Sequence, residues 1–338
     1  MPETADPAFR DDVLAGLAAP IPAVPARWLY DRRGSQLFEE ITRLPSYYPT
    51  RTETALLKHI MPDLAAHVPS GMAVVEFGAG SAAKTPLLLE AMAPAAYVPV
   101  DISPDYLNGA TADIRSSFPN LPVLPIEADF VKPFSLPDEV ADLPISPVTA
   151  DFARSFELPN EVADLPKLGF FPGSTIGNFV PRSATDLLRH FRKLLGTGAL
   201  LLIGMDRVKP IDRLIAAYDE PEGITAEFNL NLLERINREL GADVPVDAFR
   251  HEARWNDMLS RIEMHLVATR DVQFTVAGQP FSFISGESIH TENSHKYPRR
   301  GARLLLLAGG WTPIAEWEDS AEDFSIVLAQ AQRNRFAP

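Results

Sequence analysis

Apolar and polar positions change their period along this chain. Near the start, "GSQLFEEITRL" sets Leu37, Phe38, Ile41 and Leu44 at helical spacing. Residues 8–60 read as helical with proline interruptions, up to "PSYYPT", where two prolines bracket two tyrosines. From residue 72 short apolar runs alternate with amphipathic stretches. "MAVVEF" predicts a strand, "AKTPLLLEAM" a helix, "AAYVPVDIS" a strand and "PDYLNGATADIRSSF" a helix. The alternation continues through the strands "LPVLPIEADF" and "KLGFFPGS", the helix "SATDLLRHFRKLL" and the strand "GALLLIGMD". Strands alternating with helices predict right-handed crossovers and a doubly wound, mostly parallel sheet. Residues 211–240 read as helical and residues 251–292 as β-rich. The chain closes with a helix over 296–309 and two strands, "WTPIAEWED" and "DFSIVLAQ". The short "SAE" link between those strands predicts a hairpin, so the sheet finishes antiparallel.

Length and composition narrow this picture. A chain of 338 residues accommodates two domains more easily than one. Apolar residues make up 46% and charged residues 22%, as in an ordinary globular protein. The net charge of −14 comes without clustered Lys and Arg, which argues against a nucleic-acid partner and suits a cationic or zwitterionic small ligand. Cysteine is absent, so disulfides, thiolate metal sites and a Cys nucleophile are excluded. No apolar run is long enough to span a membrane, and the N-terminus lacks a basic start and an apolar signal core. A cytoplasmic location and no membrane partner are expected. One segment repeats: "ADFVKPFSLPDEVADLP" from residue 128 recurs as "ADFARSFELPNEVADLP" from residue 150, a local tandem duplication.

The candidate chemistry starts at "AVVEFGAGSAAKT", a strand that turns through Gly78 and Gly80 into a helix. This is a nucleotide-binding corner without the third glycine that NAD sites use; Ala83 stands there. Glu76 ends the strand, Asp101 ends the next one, and Asp129, followed by Phe130, ends the third. A carboxylate repels phosphate. It accepts hydrogen bonds from ribose hydroxyls or an adenine amino group, and an aromatic ring can cover the base. Three acids at successive strand ends describe a ligand with adenosine and no phosphates. S-adenosylmethionine (SAM) fits, with Lys84 placed to meet its carboxylate. Taken singly, these acids could equally be turn or capping residues.

"YDRRGSQLFEEITRLPSYYPTRTE" (30–53) and "FFPGSTIGNF" (170–179) are more specific. Together with "AAYDEPEGITAEFNLNLLERINRELGAD" (216–243) and "RIEMHL" (261–266), they resemble the histidine-specific SAM-dependent methyltransferases, which form Nα-trimethylhistidine (hercynine) on the ergothioneine pathway. The resemblance runs from about Arg27 to the end. It implies an α/β, class I (Rossmann-like) methyltransferase core over residues 61–208 and 296–338. It also implies a second, α+β domain over residues 8–60 and 209–295 that binds the amino acid. The implied cofactor contacts are Tyr30, Gly78, Lys84, Asp101 and the pair Asp129-Phe130; the duplication makes Asp151-Phe152 an equal match to that last motif. The implied catalytic residues are Asn178, Tyr47 and Gly173. The implied substrate contacts are Tyr47, Asn178, Tyr218, Met264, Glu292 and Ser294.

These residue types suit L-histidine. Asn178 and the two tyrosines can hold a carboxylate or an amine. Glu292 and Ser294 are two apart, so in a strand they share a face, where an acid and a hydroxyl can engage both imidazole nitrogens. Without the resemblance, Tyr47 reads as a packed turn aromatic, Met264 as core, and Glu292 with Ser294 as a solvated face. His290 and His295 flank Glu292, but with no H-E-x-x-H and no Cys no metal is expected. The expected partner is the small molecule L-histidine; the sequence is silent on oligomeric state, with a monomer favoured. The alternatives are methylation of another free amino acid, a non-catalytic SAM or amino-acid sensor, and a NAD oxidoreductase.

Overall fold

A computed structural model describes residues 6–80, 82–101, 104–128 and 158–332. The strands in chain order are β1 (Ala73–Phe77), β2 (Ala96–Asp101), β3 (Ile126–Glu127), β4 (Lys167–Phe171), β5 (Leu200–Asp206), β6 (Phe249–Asn256), β7 (Arg261–Ala268), β8 (Val272–Val276), β9 (Gln279–Phe283), β10 (Ser288–His295), β11 (Trp311–Glu318) and β12 (Phe324–Ala331). The chain divides into two compact units. One is Met1–Arg51 with Val208–Lys296; the other is Thr52–Arg207 with Tyr297–Pro338. Residues 52–60, grouped above with the first segment, belong to the second unit.

The second unit carries a seven-stranded sheet in the order β11-β12-β5-β4-β1-β2-β3. β1 pairs parallel with β2 and β4, β2 with β3, and β4 with β5. β12 pairs antiparallel with β5, and β11 antiparallel with β12. The α/β class with a mostly parallel sheet and a closing hairpin is therefore the one that the sequence pattern predicts. The apolar strands are buried on both faces. Val75 and Phe77 pack with Phe171, Leu201 and Phe191 on one side, while Val74 packs with Leu168, Phe170 and Leu202 on the other. Among the described residues of "LPVLPIEADF", Ile126–Glu127 joins the sheet as β3, with an isolated bridge from Val123 to Tyr97. Pro122 and Pro125 lack the amide donors that a longer ladder needs.

Chain order reverses at β1, whose neighbours are β2 on one side and β4 on the other. Ligands of open α/β sheets bind beyond the carboxyl ends of strands at such a switch point. The Gly78 turn follows β1, Asp101 ends β2, and Gly173 follows β4, so all three lie at that edge.

The first unit is α+β. The antiparallel sheet β10-β7-β6 packs one face on the helix Ile224–Leu240, through Phe228, Leu232 and Ile236 against Ile262, Met264, Leu266 and Ile289. A hairpin of β8 and β9 closes it with Phe274 and Phe283 against Phe249. The register of β10 shifts between His290 and Glu292. His290 faces His265, but Glu292 is already opposite Met264 and Ser294 is opposite Ile262. Simple alternation from Ile289 would place Glu292 on the other face. This β-bulge turns it to the apolar face of the sheet, beside Ser294.

Candidate functional site

Two groups of polar side chains contain the candidate residues, one in each unit. The second unit's group surrounds the β1 turn. Gly78 has φ +71° and Gly80 φ +50°, a left-handed path that favours glycine. Among the described residues, leaving out its chain neighbours, the nearest atom to a Cβ built on Gly80 is the Gly78 carbonyl oxygen at 4.0 Å. The Gly80 N–H donates to Asp101 Oδ2 at 2.8 Å, which fixes the carboxylate beside the turn. An exposed glycine, a Gly-Ala-Gly turn and an anchored acid fit the sugar end of an adenosyl ligand.

Glu76 does something other than the strand-end role suggested by the sequence. It is buried and accepts hydrogen bonds from the hydroxyls of Thr85 and Tyr97, each at 2.6 Å. Burial pushes its carboxyl up to about 7, against the pull of those two bonds. It ties β1 to β2 and to the helix Thr85–Met92.

The residue that sequence reasoning overlooked here is Glu53, the last of "YYPTRTE". It is almost fully buried, forms an ion pair with Lys84, and accepts from the Gly173 N–H at 2.9 Å on each oxygen. Its presence explains Gly204: a Cβ there would lie 2.1 Å from Glu53 Oε1. Glu53 thus joins the lysine after the β1 turn to the loop after β4. In that loop Gly173 (φ +80°) and Ser174 (φ +54°) make a tight turn into the 3₁₀ segment Thr175–Asn178. The Asp129-Phe130 and Asp151-Phe152 pairs lie outside the described residues.

The first unit's group lies around β10. Glu292 is buried, and Tyr30 donates its hydroxyl to Glu292 Oε1 at 3.2 Å. Burial pushes the Glu292 carboxyl up to about 7; the Tyr30 bond and the Lys296 charge oppose that rise. Tyr30, which the resemblance put with the cofactor, packs its ring edge-on to Phe38 and Phe228, and burial with the neighbouring Glu292 raises its hydroxyl. Ser294 Oγ and Tyr218 OH lie 2.8 Å apart. Tyr47 and Tyr218 meet edge to face at 5.9 Å between ring centres. Met264 is buried opposite Glu292.

The residue missed in this unit is Lys296. Fully buried, it donates from Nζ to Ser294 Oγ at 2.8 Å and to Tyr218 OH at 2.9 Å. A Lys two residues after a serine carried no signal in the sequence. A second buried network fixes the bulge: Thr291 Oγ1 donates to Asn229 Oδ1 at 2.7 Å, Asn229 Nδ2 donates to His251 Nδ1, and His251 Nε2–H donates to the Tyr218 carbonyl at 2.7 Å. One chain of bonds therefore sets the backbone beside both Glu292 and Tyr218. Among the described residues no helix is long and apolar enough to cross a membrane.

Comparison with known proteins places this architecture. The profile of the family described as "Histidine-specific methyltransferase, SAM-dependent" matches residues 9–331. The histidine N-alpha-methyltransferase of Mycolicibacterium smegmatis is 35% identical over 333 residues, covering 97% of this chain and 96% of that protein. The protein of the same name from Mycobacterium tuberculosis is 35% identical over 328 residues, 95% of this chain and 94% of its own length. Ergothioneine biosynthesis protein 1 of Neurospora crassa is 30% identical over 316 residues, 91% of this chain but 33% of that longer protein. The chain belongs to the histidine-specific, SAM-dependent methyltransferases, and is an enzyme whose cofactor is S-adenosylmethionine.

Proposed function

We propose that the protein transfers methyl groups to the α-amino nitrogen of L-histidine, three in succession, giving hercynine for ergothioneine synthesis. The observation that carries histidine as the substrate is the bulged β10 strand. It brings a buried acid (Glu292) and a buried hydroxyl (Ser294) to one face beside Met264 and the Tyr47–Tyr218 pair. An acid accepts from one imidazole nitrogen and a hydroxyl donates to the other. A ring without those nitrogens would forgo both of these hydrogen bonds, about 0.5–1.5 kcal/mol each. The names of the mycobacterial relatives and of the family support the same substrate.

Bound SAM supplies an electrophilic methyl on a sulfonium; the side chains contribute binding and alignment. In this reading Gly78 and Asp101 hold the adenosyl end of the cofactor, with Asp129-Phe130 or Asp151-Phe152 at the base. Lys84, oriented by Glu53, holds the carboxylate. Tyr30 steadies Glu292, Tyr47 and Tyr218 address the histidine carboxylate, and Asn178 and Gly173 address the amine. The amine must lose a proton before each transfer, and small groups at Gly173 and Asn178 leave room as it gains methyls. The SAM-binding role of the second unit and the amino-acid role of the first are part of the same proposal.

The test is incubation with SAM and each free amino acid, followed by mass spectrometry. Histidine should gain one, two and three methyl masses while other amino acids gain none. Asn178→Ala should reduce transfer by at least about 100-fold with SAM binding retained. A product that stops at one methyl refutes the trimethylation, and equal methylation of several amino acids refutes the histidine clamp.

A further inference from the structure

The face of the β10-β7-β6 sheet opposite Met264 carries a cluster that the methyl-transfer chemistry does not use. Glu263 and His265 on β7 and His290 on β10 each bring one ligand atom within 4.8 Å of the others. The two imidazoles stack at 4.9 Å between centres, tilted by 16°. His265 and His290 are directly opposed in the antiparallel register, so the cluster rests on two paired strands, not on a loop. Nothing in the sequence led to the expectation of a metal at His290 and His295; the tertiary structure joins His290 instead to residues 25 and 27 positions upstream.

The hydrogen bonds fix the ring tautomers. His290 Nε2 lies 3.0 Å from the Glu292 carbonyl oxygen. A carbonyl only accepts, so Nε2 carries the proton and Nδ1 is the lone-pair nitrogen. The neighbouring Asn293 side chain hydrogen-bonds His290 and favours its charged form, which sets a buried amide beside the ring. A cation there would be met by the His290 Nδ1 lone pair and the Asn293 carbonyl oxygen. His265 is held by Ser288 Oγ at Nδ1 and by Glu263 Oε2 at Nε2, each at 3.2 Å. The Glu263 carboxylate only accepts, so without a metal Nε2–H donates to it and Ser288 Oγ donates to Nδ1; a cation seated between Nε2 and Oε2 takes that proton's place, and Nδ1–H then donates to Ser288. Each imidazole then has the outer hydrogen-bond acceptor that metal-bound histidines use.

Two arginines lie close by, and both are occupied. Arg254 is paired with Glu252, and Arg261 directs both its bonds to Glu263 Oε1, which leaves the Oε2 edge toward His265. Burial lowers both histidines, His265 to about 4, so they are neutral near pH 7. Burial raises the Glu263 carboxyl, but bonds from Arg261, Asn256 and His265 outweigh it and hold the group at about 2.

We infer that Glu263, His265 and His290, with Asn293 Oδ1 beside them, form a binding site for one divalent transition-metal ion of the zinc class, which clips β7 to β10 behind the bulge. Two imidazoles and one carboxylate select Zn²⁺, Co²⁺ or Ni²⁺ over Mg²⁺ or Ca²⁺. The role is structural, and the inference does not depend on the methyl-transfer reading.

The test uses the full chain, stripped with a chelator and titrated with Co²⁺. A visible d–d absorption should saturate at one equivalent and disappear on adding Zn²⁺. His265→Asn and His290→Asn should each weaken binding by at least about 100-fold, and Glu263→Gln by about 10-fold. In the wild-type protein, Zn²⁺ should move the imidazole ¹⁵N resonances of His265 and His290 and leave the other five histidines in place. This second measurement stands even if a variant fails to fold. Absence of a saturable band, a band that survives both histidine substitutions, or ¹⁵N shifts confined to other histidines overturns the site.

Discussion

Glu76 in the second unit and Glu292 in the first are a matched pair. Each is a buried glutamate on a strand, and burial pushes each carboxyl up to about 7. Their surroundings differ. Glu76 accepts from Thr85 and Tyr97, a helix start and a neighbouring strand of its own sheet, so it holds the corner together. Glu292 is brought to its face by a bulge and stands among Tyr30, Ser294, Tyr218 and Lys296, groups that also suit an amino-acid ligand. Equal perturbation does not mean equal function: a raised carboxyl reports burial first. What separates the two is where the partner side chains sit: on the strand and helix that frame the corner for Glu76, in a polar cluster gathered from distant segments for Glu292.

Substitution at the two glutamates should break the symmetry. The largest effect is expected for Glu292→Leu, with kcat/KM for histidine falling at least about 100-fold and SAM affinity within about twofold of wild type in calorimetry. A parallel loss of SAM binding would make Glu292 a structural residue like Glu76.

Next is the pH dependence of stability set by Glu76. Its folded-state pKa lies above the unfolded value of 4.5, so the native state binds the proton more tightly. Its contribution is therefore fully present below about pH 4.5 and is lost as pH rises through about 7, by at most roughly 3 kcal/mol. Urea unfolding from pH 5 to 8 should show this slope in the wild type and a shallower one in Glu76→Gln. Identical slopes would place the titration elsewhere.

The smallest effect is expected at the bulge. Thr291→Val keeps the shape but removes the bond to Asn229, and should cost about 1 kcal/mol of stability. Because Thr291 fixes the backbone beside Glu292, KM for histidine should rise several-fold with kcat nearly unchanged. A fall in kcat alone would show that the bulge acts on the transfer step and not on the clamp.

Much of this molecule is legible in its amino-acid sequence. Alternating apolar runs locate the parallel strands, the short link before "DFSIVLAQ" marks the final hairpin, and the Gly78–Gly80 turn marks the switch-point corner. These are local features, written in period and turn chemistry. The spacing of Glu292 and Ser294 also tells that they share a face, and they do, opposite Met264 and Ile262. It does not tell which face, because that depends on one extra residue in the ladder. Among the described residues, the strand expected through "LPVLPIEADF" starts only at Ile126, since the prolines before it cannot donate.

What the sequence alone determined is the class of the fold, the corner after β1 and membership of a family through long matching motifs. The tertiary structure decided the partners. Glu53 reaches Gly173 across 120 positions, Tyr30 reaches Glu292 across 262, and His290 meets His265 only through strand pairing. Periodicity encodes which side of an element is apolar. It does not encode which buried polar group meets which, because that follows from topology and from the requirement that a buried charge or hydroxyl find a partner wherever the folded chain supplies one.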